Sequence, residues 1–264
     1  MRQQHLVFGT GLIGSYLCAH LVRANYATRA LGRPSFAQHF NQSLTISDYA
    51  DTSWKVALPP NTFTADITTL KQNFDVVWVT VKCTSLEAII PNLQKVVGPN
   101  TLILMCQNGV GSHQLIEAVF PQNKVLRIMF PFNVVSAQLG EFKRSSSGTI
   151  AFEKITRTQA DNPGLKESLL LAQIGQALHC ATFPVAMCKD MDALLWAKIQ
   201  LNLTNSVNAL ANLPLQAMLL DSGYRRIVAD MMQEHVKVCR VAGISLPKIT
   251  TVPAALVPYV LKLP

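Results

Sequence analysis

The segment Gly9-Thr10-Gly11-Leu12-Ile13-Gly14 constrains the fold more than any other part of the sequence. It follows the apolar run Leu6-Val7-Phe8 directly and opens a stretch, Leu12 to Ala24, that carries Leu17 and Leu21 on one helical face. A G-x-G-x-x-G in that setting joins a strand to a helix through a turn with little room for side chains. Gly9 permits the turn, Gly11 lets the backbone approach a pyrophosphate, and Gly14 lets the helix pack close to the strand. The helix N-terminus adds free N–H groups and positive potential. An ordinary glycine-rich turn is the plain alternative; the position and context favour a dinucleotide site.

The rest of the first half fits that reading. Ala27 to Leu31 is expected as a second strand, Val76 to Val81 as a buried parallel strand, and Thr101 to Cys106 as another. Residues 84–97 and Ser112 to Phe120 read as helices, whereas 32–75 shows no regular pattern. Strands alternating with helices predict a doubly wound parallel sheet. Between Lys124 and Glu153 the pattern becomes strands alone: Val125 to Phe130, Asn133 to Ala137 and Gly148 to Phe152, expected as antiparallel additions to the sheet. Leu165 to Cys180 reads as a helix and Phe183 to Met187 as a closing strand.

From Asp190 onward no strand is expected. Asp190 is placed to cap a helix running to about Leu210, and a second helix, Tyr224 to Val241, stops at Gly243. The expected fold class is therefore α/β: an N-terminal Rossmann-type doubly wound sheet followed by a smaller all-α C-terminal domain. The expected domains are 1–188, which holds the dinucleotide, and 189–264, which supplies the substrate and catalytic groups.

Composition narrows the function classes. Of 264 residues only 14% are charged and 49% are hydrophobic, which excludes a disordered chain. No apolar run approaches the ~20 residues of a membrane-spanning helix. The 23 Lys+Arg against 15 Asp+Glu give a net charge of +8. These cations are scattered rather than gathered in a stripe, so small anions are expected as ligands and not nucleic acid or a membrane surface. Six cysteines sit singly with no C-x-x-C, and Met1 to His5 offers no signal-peptide core. The expectation is a reduced, cytoplasmic protein whose cysteines are small core residues.

The end of the second strand selects the dinucleotide. NAD sites carry Asp or Glu there, but this chain has Leu31-Gly32-Arg33-Pro34. Arg33 suits a 2′-phosphate and adenine stacking, which points to NADP(H); a solvated arginine is the bland reading. Two further strand ends carry polar groups. Lys82 suits a phosphate or a substrate carboxylate, and Asn108 suits the nicotinamide ribose; a solvated lysine and a simple Asn108-Gly109 turn explain each equally well alone, but together on neighbouring strand ends they favour function.

On the helix after Asp190, Lys198, Asn202 and Asn205 fall within one narrow arc with Asn208 beside them. Ile199, Leu203, Val207 and Leu210 occupy another face and are expected in the core. Asn is a poor helix former, and a merely solvated face would be better served by Glu, Lys or Arg. Three amides with one lysine suit an oxygen-rich anion. A lysine there can stabilise and protonate a carbonyl oxygen that receives hydride, more readily if burial lowers its pKa. The six histidines show no metal-ligand spacing, so no metal is expected; Glu234 is expected in solvent and Met191, Met218, Met231 and Met232 in the core.

These residues together resemble the ketopantoate reductase family. The points of resemblance are Gly9 to Gly14, Gly32-Arg33, Val81-Lys82, Gln107-Asn108-Gly109, Trp196-Ala197-Lys198 with Asn202, and Ala242-Gly243-Ile244. The resemblance implies NADPH-dependent reduction of a 2-keto acid to a 2-hydroxy acid, with 2-dehydropantoate to pantoate the expected reaction of pantothenate and coenzyme A biosynthesis. By carry-over, the loop from Gly9 to Gly14 and Arg33 hold NADPH, and Asn108 touches cofactor and substrate. Lys198 is the proton donor and Asn202 a substrate ligand, with Asn205 or its neighbour Ser206 as the second. The family pattern continues into Ser-Ser-Met and Thr-Glu-Ile-Asp stretches that supply a substrate serine and a catalytic glutamate. Neither stretch precedes Pro264, so the helical domain is expected to be shortened. The alternative expectation is therefore a non-catalytic NADP(H)-binding remnant. Apolar surface left exposed by such shortening would favour a homodimer.

Overall fold

The computed structural model describes residues 2–70, 74–136, 138–154, 165–248 and 252–263. These form two compact units, Met1–Gln107 with Gly111–Lys189, and Asn108–Val110 with Asp190–Pro264.

Among the described residues the main sheet of the first unit has eight strands. β1 (Gln4–Phe8) leads through α1 (Leu12–Arg23) to β2 (Ala27–Leu31), and the short β5 (Phe63–Thr64) flanks β2. On the other side of β1 lie β6 (Val76–Val79), β7 (Leu102–Met105) and β8 (Val125–Met129), with α2 (Leu86–Leu93) and α3 (Ser112–Val119) as crossovers. All six strands are parallel, in the order β5-β2-β1-β6-β7-β8. β11 (Ile150–Glu153) continues the sheet antiparallel to β8, and β12 (Val185–Cys188) lies parallel to β11 after α4 (Leu165–Leu178). The central strands Val76–Val79 and Leu102–Met105 are buried throughout, as expected for strands covered on both faces.

The sequence reading missed a second sheet. β3 (Ser43–Ser47) and β4 (Ser53–Ala57) form a hairpin inside the stretch that showed no pattern, and β10 (Glu141–Arg144) runs parallel to β3 with β9 (Val134–Val135) beside it. Of the expected antiparallel additions, β8 joins the main sheet but runs parallel to β7, and only β11 joins it antiparallel. The segment expected over Asn133 to Ala137 shortens to β9 and belongs to the second sheet; Ala137 lies outside the described residues. The reason is packing: Leu44, Ile46, Val56 and Phe142 turn one face of the small sheet into the same core as Tyr16, Leu17 and Leu21 of α1. The opposite face of the main sheet packs on Leu86, Leu93 and Ile116 of α2 and α3. The helix expected over 84–97 contracts to α2, which contains Pro91, a residue with no N–H and a ring that crowds the preceding turn.

The second unit is helical: α5 (Met191–Ala211), α6 (Leu215–Leu220), α7 (Ser222–Val241) and α8 (Val257–Leu261). Asp190 caps α5 by accepting from Ala193 N at 2.9 Å, and Asp221 caps α7 by accepting from Gly223 N at 2.8 Å. Val207, Met218, Val228 and Met232 form the core, with Leu203, Met231, Val257 and Leu261 against it. Arg225 ties this unit together: its guanidinium donates to the carbonyls of Leu219, Leu220, Leu261 and Leu263. Leu210, expected in the core, is 89% exposed, because in the last turn of α5 it is the next residue, Ala211, that packs on that cluster. Cys83, also expected as a core residue, is exposed at the start of a 3₁₀ turn beyond the end of β6. Among the described residues no helix is long and apolar enough to cross a membrane.

Candidate functional site

The strand order of the main sheet reverses between β1 and β6, and open α/β sheets bind ligands beyond the carboxyl ends of the strands at such a point. A cavity of about 500 Å³ lies there. Its walls include Gly9, Thr10 and Gly11 after β1, Arg33 after β2, and Lys82 after β6, so one space gathers five of the residues expected to bind a cofactor. Leu12, Ile13 and Gly14 of the same motif are not in its wall.

The glycines of the loop have different reasons to be glycine. Gly9 has φ +113°, and a Cβ on it would lie 2.7 Å from Cγ1 and 2.9 Å from N of Val81. A Cβ on Gly14 would fall 2.1 Å from the Gly9 carbonyl oxygen and 2.7 Å from Thr80 Oγ1. Packing within the protein forbids side chains at both. Gly11 differs: its φ of −75° suits any residue, and a Cβ there would meet nothing within 4 Å. Neither backbone strain nor the protein's own packing demands a glycine at that point of the cavity wall.

Three observations bear on whether a dinucleotide fits. First, Gly11 leaves open a cradle that any Cβ would partly fill. Second, α1 starts at Leu12 with no side-chain cap and no acidic residue in its first turn, leaving the N-terminal N–H groups to an anion. Third, Thr10 Oγ1 is buried with no hydrogen-bond partner among the described residues. The site is therefore compatible with a diphosphate-bearing ligand. At the end of β2, Gly32 hands the chain to Arg33, which is exposed, with its guanidinium 5.9 Å from the centroid of the Phe36 ring. Among the described residues no carboxylate lines the cavity.

Sequence reasoning gave no role to several walls of this cavity. Thr80, which donates to the carbonyls of Gly9 and Phe8, adjoins the expected Lys82 and follows from the strand-end rule. Ala65 and Ile67 come from the loop after β5, a strand of two residues too short to leave a pattern. Ser85, Ile89 and Asn92 come from the turn and helix after β6; their spacing there was indistinguishable from a plain amphipathic helix.

In the second unit, Lys198 and Asn202 are both half-buried on α5, while Asn205 is exposed. Burial holds the Lys198 ammonium below the usual lysine range. Ser206, the alternative to Asn205, donates its hydroxyl to the Leu203 carbonyl at 2.9 Å, and Asn208 donates to the Leu213 carbonyl at 2.8 Å, where the chain turns after α5. Asn208 thus helps close the helix end. Asn108, in the loop after β7, is exposed and groups with this unit. The helix also hides a polar residue that the sequence reading did not single out: Gln200, 1% exposed, donates to the Ala254 carbonyl at 2.8 Å. Glu234 is exposed, as expected.

Comparison with known proteins gives a consistent answer. The chain is 28% identical over 137 residues to a 2-dehydropantoate 2-reductase of Aquifex aeolicus; the match spans 51% of the chain and 42% of that protein, less than half its length. A PanE/ApbA family ketopantoate reductase from Ralstonia eutropha superposes with a TM-score of 0.77 at 21% identity, covering 98% of the chain and 79% of its own. A D-mandelate dehydrogenase solved with NADH and anilino(oxo)acetate gives 0.76 at 16%, with 98% and 79% covered. At those identities the two structures speak for the fold. The family model described as ketopantoate reductase PanE/ApbA matches residues 5–157, from β1 through the glycine loop and both neighbouring strand ends, and on that match the chain belongs to the ketopantoate reductase family.

Proposed function

We propose that the chain is an NADP(H)-dependent oxidoreductase that reduces a 2-keto acid to the 2-hydroxy acid, with 2-dehydropantoate as the first substrate to try. The observation that carries this reading is the cavity at the strand-order reversal, walled by the glycine loop, Arg33 and Lys82 and, among the described residues, lined by no carboxylate. Residues 1–188 would hold the cofactor and 189–264 would supply the groups for the substrate. A cytoplasmic setting agrees with six cysteines that form no disulfide.

The residues divide the work as follows. N–H groups at the start of α1, with Gly11 leaving room, hold the diphosphate, and Thr10 offers its hydroxyl. Arg33 pairs with the 2′-phosphate, and Lys82 adds a second cation. The bound nicotinamide supplies hydride to the keto carbon. On the substrate side, Asn202 and Asn108 fix oxygens of the keto acid, with Asn205 a second amide on the same helix. Lys198 Nζ donates a proton to the keto oxygen as negative charge develops there, and its lowered pKa eases that transfer near neutrality. A homodimer through the helical unit, where Leu220 and Val241 are 74% and 91% exposed, is part of the proposal.

The test is NADPH oxidation with 2-dehydropantoate and a panel of other 2-keto acids, alongside NADPH binding on the same preparation. Turnover with one of them supports the proposal. Tight NADPH binding without turnover would assign a non-catalytic dinucleotide-binding role. Sedimentation of the same sample reads the oligomeric state.

A further inference from the structure

We propose that Gln107 is a positioning residue for the dinucleotide site and acts by fixing the strand end Thr80–Lys82. The inference rests on the reading of the cavity as a dinucleotide site. Gln107 follows β7, is 8% exposed, and its Nε2 donates to the carbonyls of Val79 at 2.8 Å and Val81 at 3.0 Å. Both amide hydrogens are spent on the carbonyls flanking Thr80. The two acceptors also settle which side-chain atom is nitrogen, since an oxygen would face two carbonyl oxygens.

The placement matters because the parallel ladder ends just there. The last β7-side bond of the pair is Cys106 N to the Val79 carbonyl at 3.0 Å. Beyond it, Thr80 is held on the β1 side by Thr80 N to the Phe8 carbonyl at 3.0 Å and by its hydroxyl on the Gly9 carbonyl. On the β7 side, the Gln107 amide takes over where the ladder stops. The segment it holds is the floor of the glycine loop: Val81 occupies the space next to the Cα of Gly9, and Thr80 Oγ1 the space next to that of Gly14. Lys82, the next residue, lines the cavity. A shift of a few tenths of an ångström at Val81 would therefore move both the loop and the lysine.

The other end of the side chain argues against a filler role. Gln107 Oε1 is buried with no hydrogen-bond partner among the described residues. A buried acceptor left unpaired is a standing cost that an apolar side chain would avoid. Retaining the amide makes sense if its two donated bonds are what the site needs.

The experiment is a double-mutant cycle read by NADPH fluorescence titration, with the folded fraction of each variant measured by circular dichroism. Gln107→Met keeps the length and removes both donors; it is expected to weaken NADPH binding about tenfold, the scale of one or two lost hydrogen bonds. In a Lys82→Ala background the same change should cost clearly less than about tenfold, because part of its effect runs through the placement of Lys82. Additive losses, or an unchanged Kd for Gln107→Met, would overturn the inference. Should Gln107→Met not fold, Gln107→Glu serves: a carboxylate faces the two carbonyls at pH 8, whereas the protonated acid near pH 5 can donate to one. Its affinity relative to wild type should recover on acidification, and a flat ratio overturns the inference. Wild-type protein that binds no NADPH would instead refute the dinucleotide reading before any variant is made.

Discussion

The anion cradle in the sheet unit is main chain, and the candidate groups in the helical unit are side-chain ends. In the first, the glycine loop and the N–H groups at the start of α1 would meet the diphosphate, and among the expected residues only Thr10, Arg33 and Lys82 bring side chains to the cavity wall. In the second, Lys198, Asn202 and Asn205 project from a continuous helix whose backbone is fully engaged. A main-chain site is damaged by adding atoms, and a side-chain site by removing them. That difference decides which substitutions are informative in each half.

The largest effect is expected from removal in the helical unit. Lys198→Ala should lower turnover by about 10²- to 10⁴-fold, the scale of a lost general acid, and leave the NADPH Kd within about twofold. An active wild type whose variant turns over undiminished would break the comparison at once. With its pKa held below the lysine range, the wild-type kcat should fall on the alkaline side before pH 10.5 as Lys198 loses its proton. The variant should lack that limb.

Addition in the sheet unit comes next. Gly11→Ala should weaken NADPH binding by about 10- to 100-fold while leaving the melting temperature unchanged, because its Cβ clashes with nothing in the protein. Gly14→Ala should do the reverse first, destabilising the fold by about 1–3 kcal/mol through the clash with the Gly9 carbonyl. If Gly11→Ala melts early, the open cradle has been misread. Arg33→Ala is the exception, a removal within the main-chain site. It should cost NADPH about tenfold or more and NADH little; equal losses for both cofactors would refute the 2′-phosphate assignment.

A smaller effect is the acid sensitivity of the sheet unit. His5 is fully buried, accepts from Trp78 Nε1 at 3.1 Å, and is held neutral with its pKa pushed down to about 3. Because the unfolded chain binds that proton near pH 6.5, stability is lost as pH falls from 6.5 toward 3, by up to about 1.4 kcal/mol per pH unit. His20, also buried and shifted down by desolvation, adds to the slope. His5→Asn, which keeps an acceptor for Trp78, should flatten the pH dependence of urea midpoints; an unchanged slope would place the acid-sensitive group elsewhere.

The same contrast explains what was legible in the sequence. The glycine loop could be read because backbone geometry leaves a residue-type signature: no other residue fits the position of Gly9 or Gly14. Arg33 and Lys82 were found by counting to strand ends. β3, β4, β9 and β10 were not expected as a sheet, since they are half-buried and lack the continuous apolar runs that marked β6 and β7, and β10 reaches β3 from far along the chain. In the helical unit the arc of Lys198 and Asn202 was visible, but periodicity treats every turn of a helix alike. It therefore put Leu210 in the core and gave no sign that Gln200 is buried by its bond to Ala254.

The small second sheet also sets a timetable for folding. Its middle pair joins Thr45 to Glu141, residues roughly 100 apart in the chain, and the logarithmic part of closing such a loop costs about 4 kcal/mol before any contact repays it. The β3–β4 hairpin closes locally, but β10 has no template until β6, β7 and β8 have assembled and brought its end of the chain alongside. A nascent chain would then carry the hairpin as an unpaired edge for much of its synthesis. Slow refolding, and aggregation relieved by chaperones, would be the cost of a core that α1 shares between two sheets.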